Sequence, residues 1–79
     1  MLLPFNASTT ISYEMQNAGQ VSLNVYDVTG RLVKTLVDGR VTAGEHKVSF
    51  DGSHLASGTY FVSLKAGDYK VSKKMTLIK

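Results

Sequence analysis

Short runs of alternating apolar and polar residues cover most of the chain, and glycine-containing segments separate them. The alternation has a period of two, which is typical of β-strands that bury one face. The runs comprise residues 9–15, 21–26, 31–37, 45–50, 60–65 and 69–79. No stretch shows helical periodicity, so the pattern predicts successive antiparallel strands, with the last run still in a strand at the chain end.

The run at residues 31–37 does not alternate cleanly. Its apolar residues Leu32, Val33, Leu36 and Val37 fit neither face of a regular strand. This pattern predicts a bulge, a bend or a strand covered on both sides. Asp38-Gly39 follows the run and is expected to break the strand.

Aspartate and glycine occupy the segments between runs in a manner that predicts tight turns. Asp27 is placed to accept hydrogen bonds at the first position of a turn, and Gly30 to take a left-handed conformation at its end. Asp51 and Gly52 are expected to end a strand. Gly58 is expected to have a positive φ before the next strand begins.

Six or seven short strands without a helix predict an all-β fold, a small immunoglobulin-like antiparallel β-sandwich of about seven strands. The 79 residues allow one domain, which is expected to span residues 1–79. Within it, residues 1–4 are expected to be a disordered start. The chain contains neither Cys nor Trp, so a disulfide framework and an antibody-type domain are excluded.

The amino-acid composition is typical of a globular domain, and by itself it indicates no function. A hydrophobic fraction of 43% with 19% charged residues is typical of a globular domain rather than a disordered one. The net charge of +3 is too small to indicate nucleic-acid binding. No apolar run approaches the roughly 20 residues that span a bilayer, so no transmembrane segment is predicted.

The segment after residue 50 gathers residue types that also occur in hydrolases. Asp51, Ser53, His54 and Ser57 lie within one short stretch. A catalytic triad requires a nucleophile, a base and an orienting group brought together by the fold, and proximity in sequence does not supply that arrangement. These residues are typical turn formers, so we predict no catalytic site.

Metal and cofactor sites are weakly supported. His46 and His54 are two separate histidines, whereas a metal site uses three or four ligands. The turn aspartates, including Asp27, Asp38 and Asp68, lack the alternating oxygen ligands of a calcium loop. We therefore predict no metal and no cofactor.

Aromatic and basic residues leave a binding role open. Carbohydrate modules expose rows of aromatic side chains, and three residues could serve here, namely Tyr26, Phe61 and Tyr69. Nucleic acid could in principle use Tyr26 and Phe61 together with Lys65, Lys70, Lys73 and Lys74. Lysines on edge strands also keep small sandwiches soluble, so we favour no nucleic-acid partner.

The ordered motifs carry a family resemblance over nearly the whole chain. They are Pro4-Phe5-Asn6, Thr9 with Ile11 and Tyr13, Val25-Tyr26-Asp27, Gly30-Arg31, Ala43-Gly44 with His46, Phe50-Asp51-Gly52, Ser57-Gly58, Tyr60-Phe61, and Lys74 with Leu77 and Lys79. In these motifs the sequence resembles the C-terminal type A sorting domain of the type IX secretion system. It is also similar to the immunoglobulin-like domain of flagellar hook-capping proteins.

The resemblance implies a non-catalytic address at the C-terminus of a larger secreted protein. Its partners would be an outer-membrane translocon, a sortase and an N-terminally attached cargo that reaches the cell surface or medium through the periplasm. Translocon recognition would lie in the last strand, at Lys74, Met75, Thr76, Leu77, Ile78 and Lys79. The alternative is an accessory structural or carbohydrate-binding domain of a secreted hydrolase.

Overall fold

The computed structural model describes residues 8–78, which form six β-strands and no helix. The strands are β1 (Ser8–Met15), β2 (Gly19–Asp27), β3 (Leu32–Val41), β4 (Gly44–Asp51), β5 (Gly58–Ala66) and β6 (Tyr69–Leu77). Every strand pair is antiparallel. The all-β prediction is confirmed, and the expected count of about seven strands is corrected to six within the described residues.

The strands form two sheets of unequal width. Four strands pair in the order β3-β2-β5-β6, and β1 pairs with β4 in a separate two-stranded sheet. The inward-facing residues of both sheets make one core, which contains Ile11, Met15, Val21, Leu23, Val25, Phe50, Tyr60, Val62, Leu64, Met75 and Leu77. Because burying a large apolar side chain contributes roughly 1.5–3 kcal/mol, this shared core is what holds the two sheets together.

The alternation in the sequence corresponds to the two faces of each central strand. In β2, Val21, Leu23 and Val25 are between 0% and 2% exposed. The intervening Ser22 and Asn24 point to the other face and are partly exposed. The period-two pattern therefore identified the core face of β2 correctly.

β3 contains the irregularity that its sequence predicts. Its register against β2 shifts between the pair Leu23–Val37 and the pair Asn24–Thr35, which leaves Leu36 as an extra residue on β3. A second shift leaves Val33 extra. Each extra residue reverses the alternation, which is why the apolar residues of this run fit neither face of a regular strand.

The predicted break at Asp38 and Gly39 is wrong, because β3 continues through both residues to Val41. Asp38 lies opposite Ser22, and Gly39 lies opposite Val21. β3 is an edge strand, so the exposed carboxylate of Asp38 stays in water. Gly39 lacks the positive φ that a turn would use, so residues 40 and 41 extend β3 instead of starting another strand.

The hairpin between β2 and β3 closes as predicted around Asp27 and Gly30. The Gly30 N–H donates to the Asp27 carbonyl at 3.0 Å, and the Asp27 N–H donates to the Arg31 carbonyl at 3.0 Å. Gly30 has a φ of 87°, which glycine adopts without steric cost. These features define a tight hairpin with a left-handed residue at its end.

The loop between β4 and β5 also follows the prediction. β4 ends at Asp51, whose Oδ1 accepts the Ser53 N–H at 2.9 Å. The Leu55 N–H donates to the carbonyl of the buried Gly52 at 2.9 Å. Gly58 begins β5 with a φ of 149°, so its predicted positive φ is confirmed.

Tyr60 links this loop to the core. Its side chain is 7% exposed, and its hydroxyl donates to the Ala56 carbonyl at 2.7 Å. The ring therefore fills the core while its polar end is satisfied by the preceding loop, as in the tyrosine corner of immunoglobulin-like sandwiches. Tyr60 alternates with Phe61 in the same phase as the buried Val62 and Leu64, whereas its hydrogen bond depends on the path of the loop.

Candidate functional site

The last strand, β6, lies at one edge of the four-stranded sheet. It pairs with β5 from Gly58 opposite Leu77 to Ala66 opposite Tyr69. Within residues 8–78 no strand pairs with its other edge. Because alternate residues of an antiparallel edge strand direct their N–H and C=O groups away from the sheet, β6 offers backbone hydrogen bonds to a partner.

The two faces of β6 divide the residues that the family resemblance singled out. Met75 and Leu77 are 0% and 1% exposed and belong to the core. Lys74 and Ile78 are exposed, and Thr76 is partly exposed. Lys79 lies outside the described residues. The prediction that the last run stays in a strand to residue 79 is corrected at Ile78, because β6 ends at Leu77.

Lysines give this edge a positive charge. Lys70, Lys73 and Lys74 are exposed on β6, and Lys65 of β5 lies directly opposite Lys70. The ion pair found among residues 8–78 is elsewhere, between Arg31 and Asp27. In the described part of the chain, no ion pair within 4 Å joins the lysines of the β6 edge to an acidic side chain.

The outer face of the large sheet brings two of the three candidate aromatic residues together. Tyr26 on β2 lies opposite Phe61 on β5, and Phe61 lies opposite Lys74 on β6. Both rings are half-buried. Tyr69 does not join them, because it begins β6 at the far end, opposite Ala66.

The Asp27 turn adds a fixed negative charge next to this face. Its Oδ1 accepts hydrogen bonds from the Thr29 hydroxyl at 2.6 Å, the Thr29 N–H at 2.9 Å and the Arg31 N–H at 3.1 Å. The Thr29 hydroxyl is the largest cause that lowers the pKa of Asp27 from its ordinary value of 3.8. The Asp27 carboxylate thus already accepts three hydrogen bonds within its own turn.

The segment that resembled a hydrolase site is a turn. Asp51 accepts the Ser53 N–H, and this bond is the largest cause that lowers the pKa of Asp51 from 3.8. The charges of His54 and Lys34 lower that pKa further. Asp51 therefore serves as a turn cap, and Ser57 precedes β5 in the same loop.

The two histidines lie in different environments. His46 sits on β4 opposite Tyr13 of β1, and the two rings stack with centroids 5.5 Å apart. Its Nε2 is 2.8 Å from the Thr42 carbonyl. His54 lies in the loop after β4, and residues 8–78 contain no group of three His, Cys, Asp or Glu side chains placed to hold a metal ion.

A cleft of about 880 Å³ opens between the two sheets on the side of β1 and β6. Ile11 and Met15 of β1 line it, together with Leu64 of β5 and Val71 of β6. It exists because the two-stranded sheet is narrower than the sheet it covers. The sequence did not predict this cleft, since sheet width depends on which strands pair.

Comparisons with known proteins identify the class. Residues 3–79 match the family model described as "Secretion system C-terminal sorting domain". A crystal structure of an uncharacterized protein from Bacillus anthracis strain Ames has a TM-score of 0.71 and 14% identity. The match covers 98% of this chain and 76% of that one, and it supports the fold. The comparison with curated proteins finds no match.

The chain belongs to the family of C-terminal sorting domains of the type IX secretion system. Membership implies a secretion system and an attached cargo, and the family is not catalytic. In the described part of the chain no helix is long and apolar enough to cross a membrane.

Proposed function

We propose that this domain is the address of a larger protein and directs an N-terminally attached cargo through the type IX translocon to the cell surface or medium. The observation that carries this proposal is the family match over residues 3–79. On this proposal the route passes through the periplasm, and a sortase later separates the domain from its cargo.

Recognition is proposed to occur at the free edge of β6. An extended partner segment that pairs with this edge gains main-chain hydrogen bonds, and its side chains meet the faces of the strand. The exposed Lys70, Lys73 and Lys74 supply positive charge on this strand, so they favour an acidic partner and one orientation of binding. Met75 and Leu77 are buried, so on this proposal they hold the strand in the core.

Deleting residues 76–79 from a fusion of signal peptide, fluorescent cargo and this domain tests the proposal. The deletion also removes Leu77 from the core, so the matched control is Leu77→Ala, which weakens the core and keeps the rest of the segment. We expect the deletion to abolish export and Leu77→Ala, assayed at a temperature where the domain is folded, to be exported. Unchanged export after the deletion would contradict recognition at β6.

A further inference from the structure

The cleft between the two sheets leaves part of the core open to solvent. Five of the core side chains are more than 2% exposed, and four of these line the cleft: Ile11 at 5%, Met15 at 8%, Val62 at 5% and Leu64 at 8%. The volume of about 880 Å³ lies within the range of roughly 300–1,000 Å³ that is typical of ligand pockets. A ligand in the cleft would therefore contact apolar core side chains directly.

Lys73 is a charged residue on the inward-facing side of β6. It pairs with the buried Val62, and it follows the same alternation as Val71 and Met75, two residues away on either side. Met75 is fully buried whereas Lys73 is exposed, so the cover over this face of β6 ends between the two positions. Lys73 therefore lines the cleft, while the next residue, Lys74, belongs to the outer face of the sheet.

Lys73 supplies the positive charge of the cleft. The other ionisable side chains that line it are Tyr13, Glu14 and Tyr69. Glu14 is exposed and alternates with the buried Met15, so it belongs to the outer face of β1. Among residues 8–78 no ion pair within 4 Å joins Lys73 to an acidic side chain. An anionic group of a ligand would therefore meet a cation that has no such partner in the described part of the chain.

The inward-facing row of β6 begins with an exposed aromatic ring. Tyr69 is the first residue of the strand, lies in the same phase as Val71 and Lys73, and is 61% exposed. Residues two apart on a strand are about 7 Å apart, so the row from Tyr69 to Lys73 is about 13 Å long. An elongated ligand can lie along this row, with its charged end at Lys73.

We infer that the cleft binds an amphiphilic anion, a molecule with an alkyl chain and one terminal carboxylate or phosphate. The alkyl chain lies against the apolar side chains of Ile11, Met15, Leu64 and Val71, and the anionic end pairs with the ammonium group of Lys73. This inference goes beyond the proposed function and does not depend on it, because export is proposed to use the free edge of β6.

The walls of the cleft favour an alkyl chain over an extended peptide. A peptide carries an N–H and a C=O at each residue, and these groups cost free energy when apolar side chains surround them without a hydrogen-bond partner. The edge of β1 that faces away from β4 satisfies a peptide along one side, whereas Val62, Leu64 and Val71 offer no partner. An alkyl chain requires no partner and is stabilised by the apolar area that it covers.

Binding of dodecanoate to the full 79-residue chain tests the inference, with calorimetry and methyl NMR as the measurements. We expect one dodecanoate per chain, bound below its micelle-forming concentration, with chemical-shift changes at Ile11, Met15 and Leu64. Dodecanol has the same chain without the charge, and we expect it to bind about tenfold more weakly. Dodecyl phosphate tests the second anionic head: the tighter of the two anions shows whether the site suits a fatty acid or a phosphate-bearing lipid.

Two neighbouring lysines provide matched variants, because they carry the same charge on opposite faces of β6. Lys73→Gln should weaken dodecanoate binding about tenfold and leave dodecanol binding unchanged, and Lys74→Gln should leave both unchanged. Val71→Phe places a larger side chain in the cleft, so it should weaken both probes by about tenfold or more. Thermal unfolding shows that each variant is folded at the assay temperature.

Several results would overturn the inference. They are no saturable binding of either anion, equal affinities for dodecanoate and dodecanol, equal effects of the two lysine variants, and methyl shifts confined to residues outside the cleft. An inward-facing lysine also protects an edge strand from pairing with another chain. If Lys73→Gln self-associates and binds dodecanoate as the wild type does, Lys73 has this protective role and the inference is wrong. Export is tested separately by the fusion experiment.

Discussion

At the scale of single residues, the hairpin between β2 and β3 depends on the conformation of one glycine. Gly30 has a φ of 87°, and a Cβ added there would contact nothing within 4 Å. Replacing Gly30 with alanine therefore measures the free-energy cost of the positive φ without a steric clash of the added methyl group. We expect Gly30→Ala to lower the free energy of unfolding by about 1–2 kcal/mol, measured by urea denaturation.

Gly39 is the matched control for that substitution. It lies within β3 without a positive φ, and a Cβ there would also meet nothing within 4 Å. Gly39→Ala should leave the stability unchanged or raise it by up to about 1 kcal/mol, because alanine restricts the unfolded chain more than glycine does. Equal losses at both glycines would show that φ is not the deciding factor.

Asp27 makes the same hairpin sensitive to acid. Its pKa is lowered from 3.8 in the folded state, so its ionised form is favoured by folding. This contribution is complete above the unfolded value and is lost as the pH falls below 3.8 and through the lower folded pKa. The group is exposed at the surface, so solvent screens it and the effect is modest.

Comparing wild type with Asp27→Asn isolates this contribution from that of Asp51, whose pKa is also lowered from 3.8. We expect the wild type to be the more stable protein at pH 7 and the difference to shrink as the pH is lowered below 3.8. Denaturant unfolding between neutral and acidic pH measures this. A stability difference that does not change with pH would contradict the role of the Asp27 carboxylate.

At the scale of elements, alternation predicted the strands because each one buries a single face. In the run at residues 69–79, the alternation puts Met75 and Leu77 in one phase, which is buried, and Lys74 and Ile78 in the other, which is exposed. It failed where turn-forming residues lie inside an edge strand, as with Asp38-Gly39 in β3. An edge strand keeps one side in water, so an aspartate or a glycine there costs little and does not end the strand.

The two faces of β6 have different energetic roles, and neighbouring residues test this. Met75 is fully buried, so Met75→Ala should lower the free energy of unfolding by about 2–5 kcal/mol. Lys74 is exposed, so Lys74→Ala should change it by no more than about 0.5 kcal/mol. Chemical denaturation of the purified domain measures both, and similar losses at the two positions would contradict the assigned faces.

At the scale of the whole molecule, the sequence predicted the class of fold but not the arrangement of its sheets. The order β3-β2-β5-β6 and the narrower β1-β4 sheet depend on pairing between residues far apart in the chain. The position of β6 at an edge and the cleft beside β1 both follow from that order. The pairing of Tyr26 with Phe61 likewise joins two strands that are far apart in the sequence, and no motif marks it.

On the proposed function, β6 has two roles. It contributes Met75 and Leu77 to the core, and its edge that faces away from β5, which pairs with no strand of residues 8–78, is the one proposed for recognition. If the address is a folded surface, unfolding the domain should abolish recognition even when the last residues are intact. Export of the Met75→Ala variant, measured above and below its unfolding temperature, tests whether recognition requires the folded domain.

The most direct test of the central claim is to fuse residues 1–79 behind a signal peptide and a fluorescent cargo and to measure export in cells with and without a functional type IX translocon. We expect the cargo to reach the surface or medium only when the translocon is functional. Retention of the folded fusion in the periplasm of both strains would contradict the proposal that this domain is a working address.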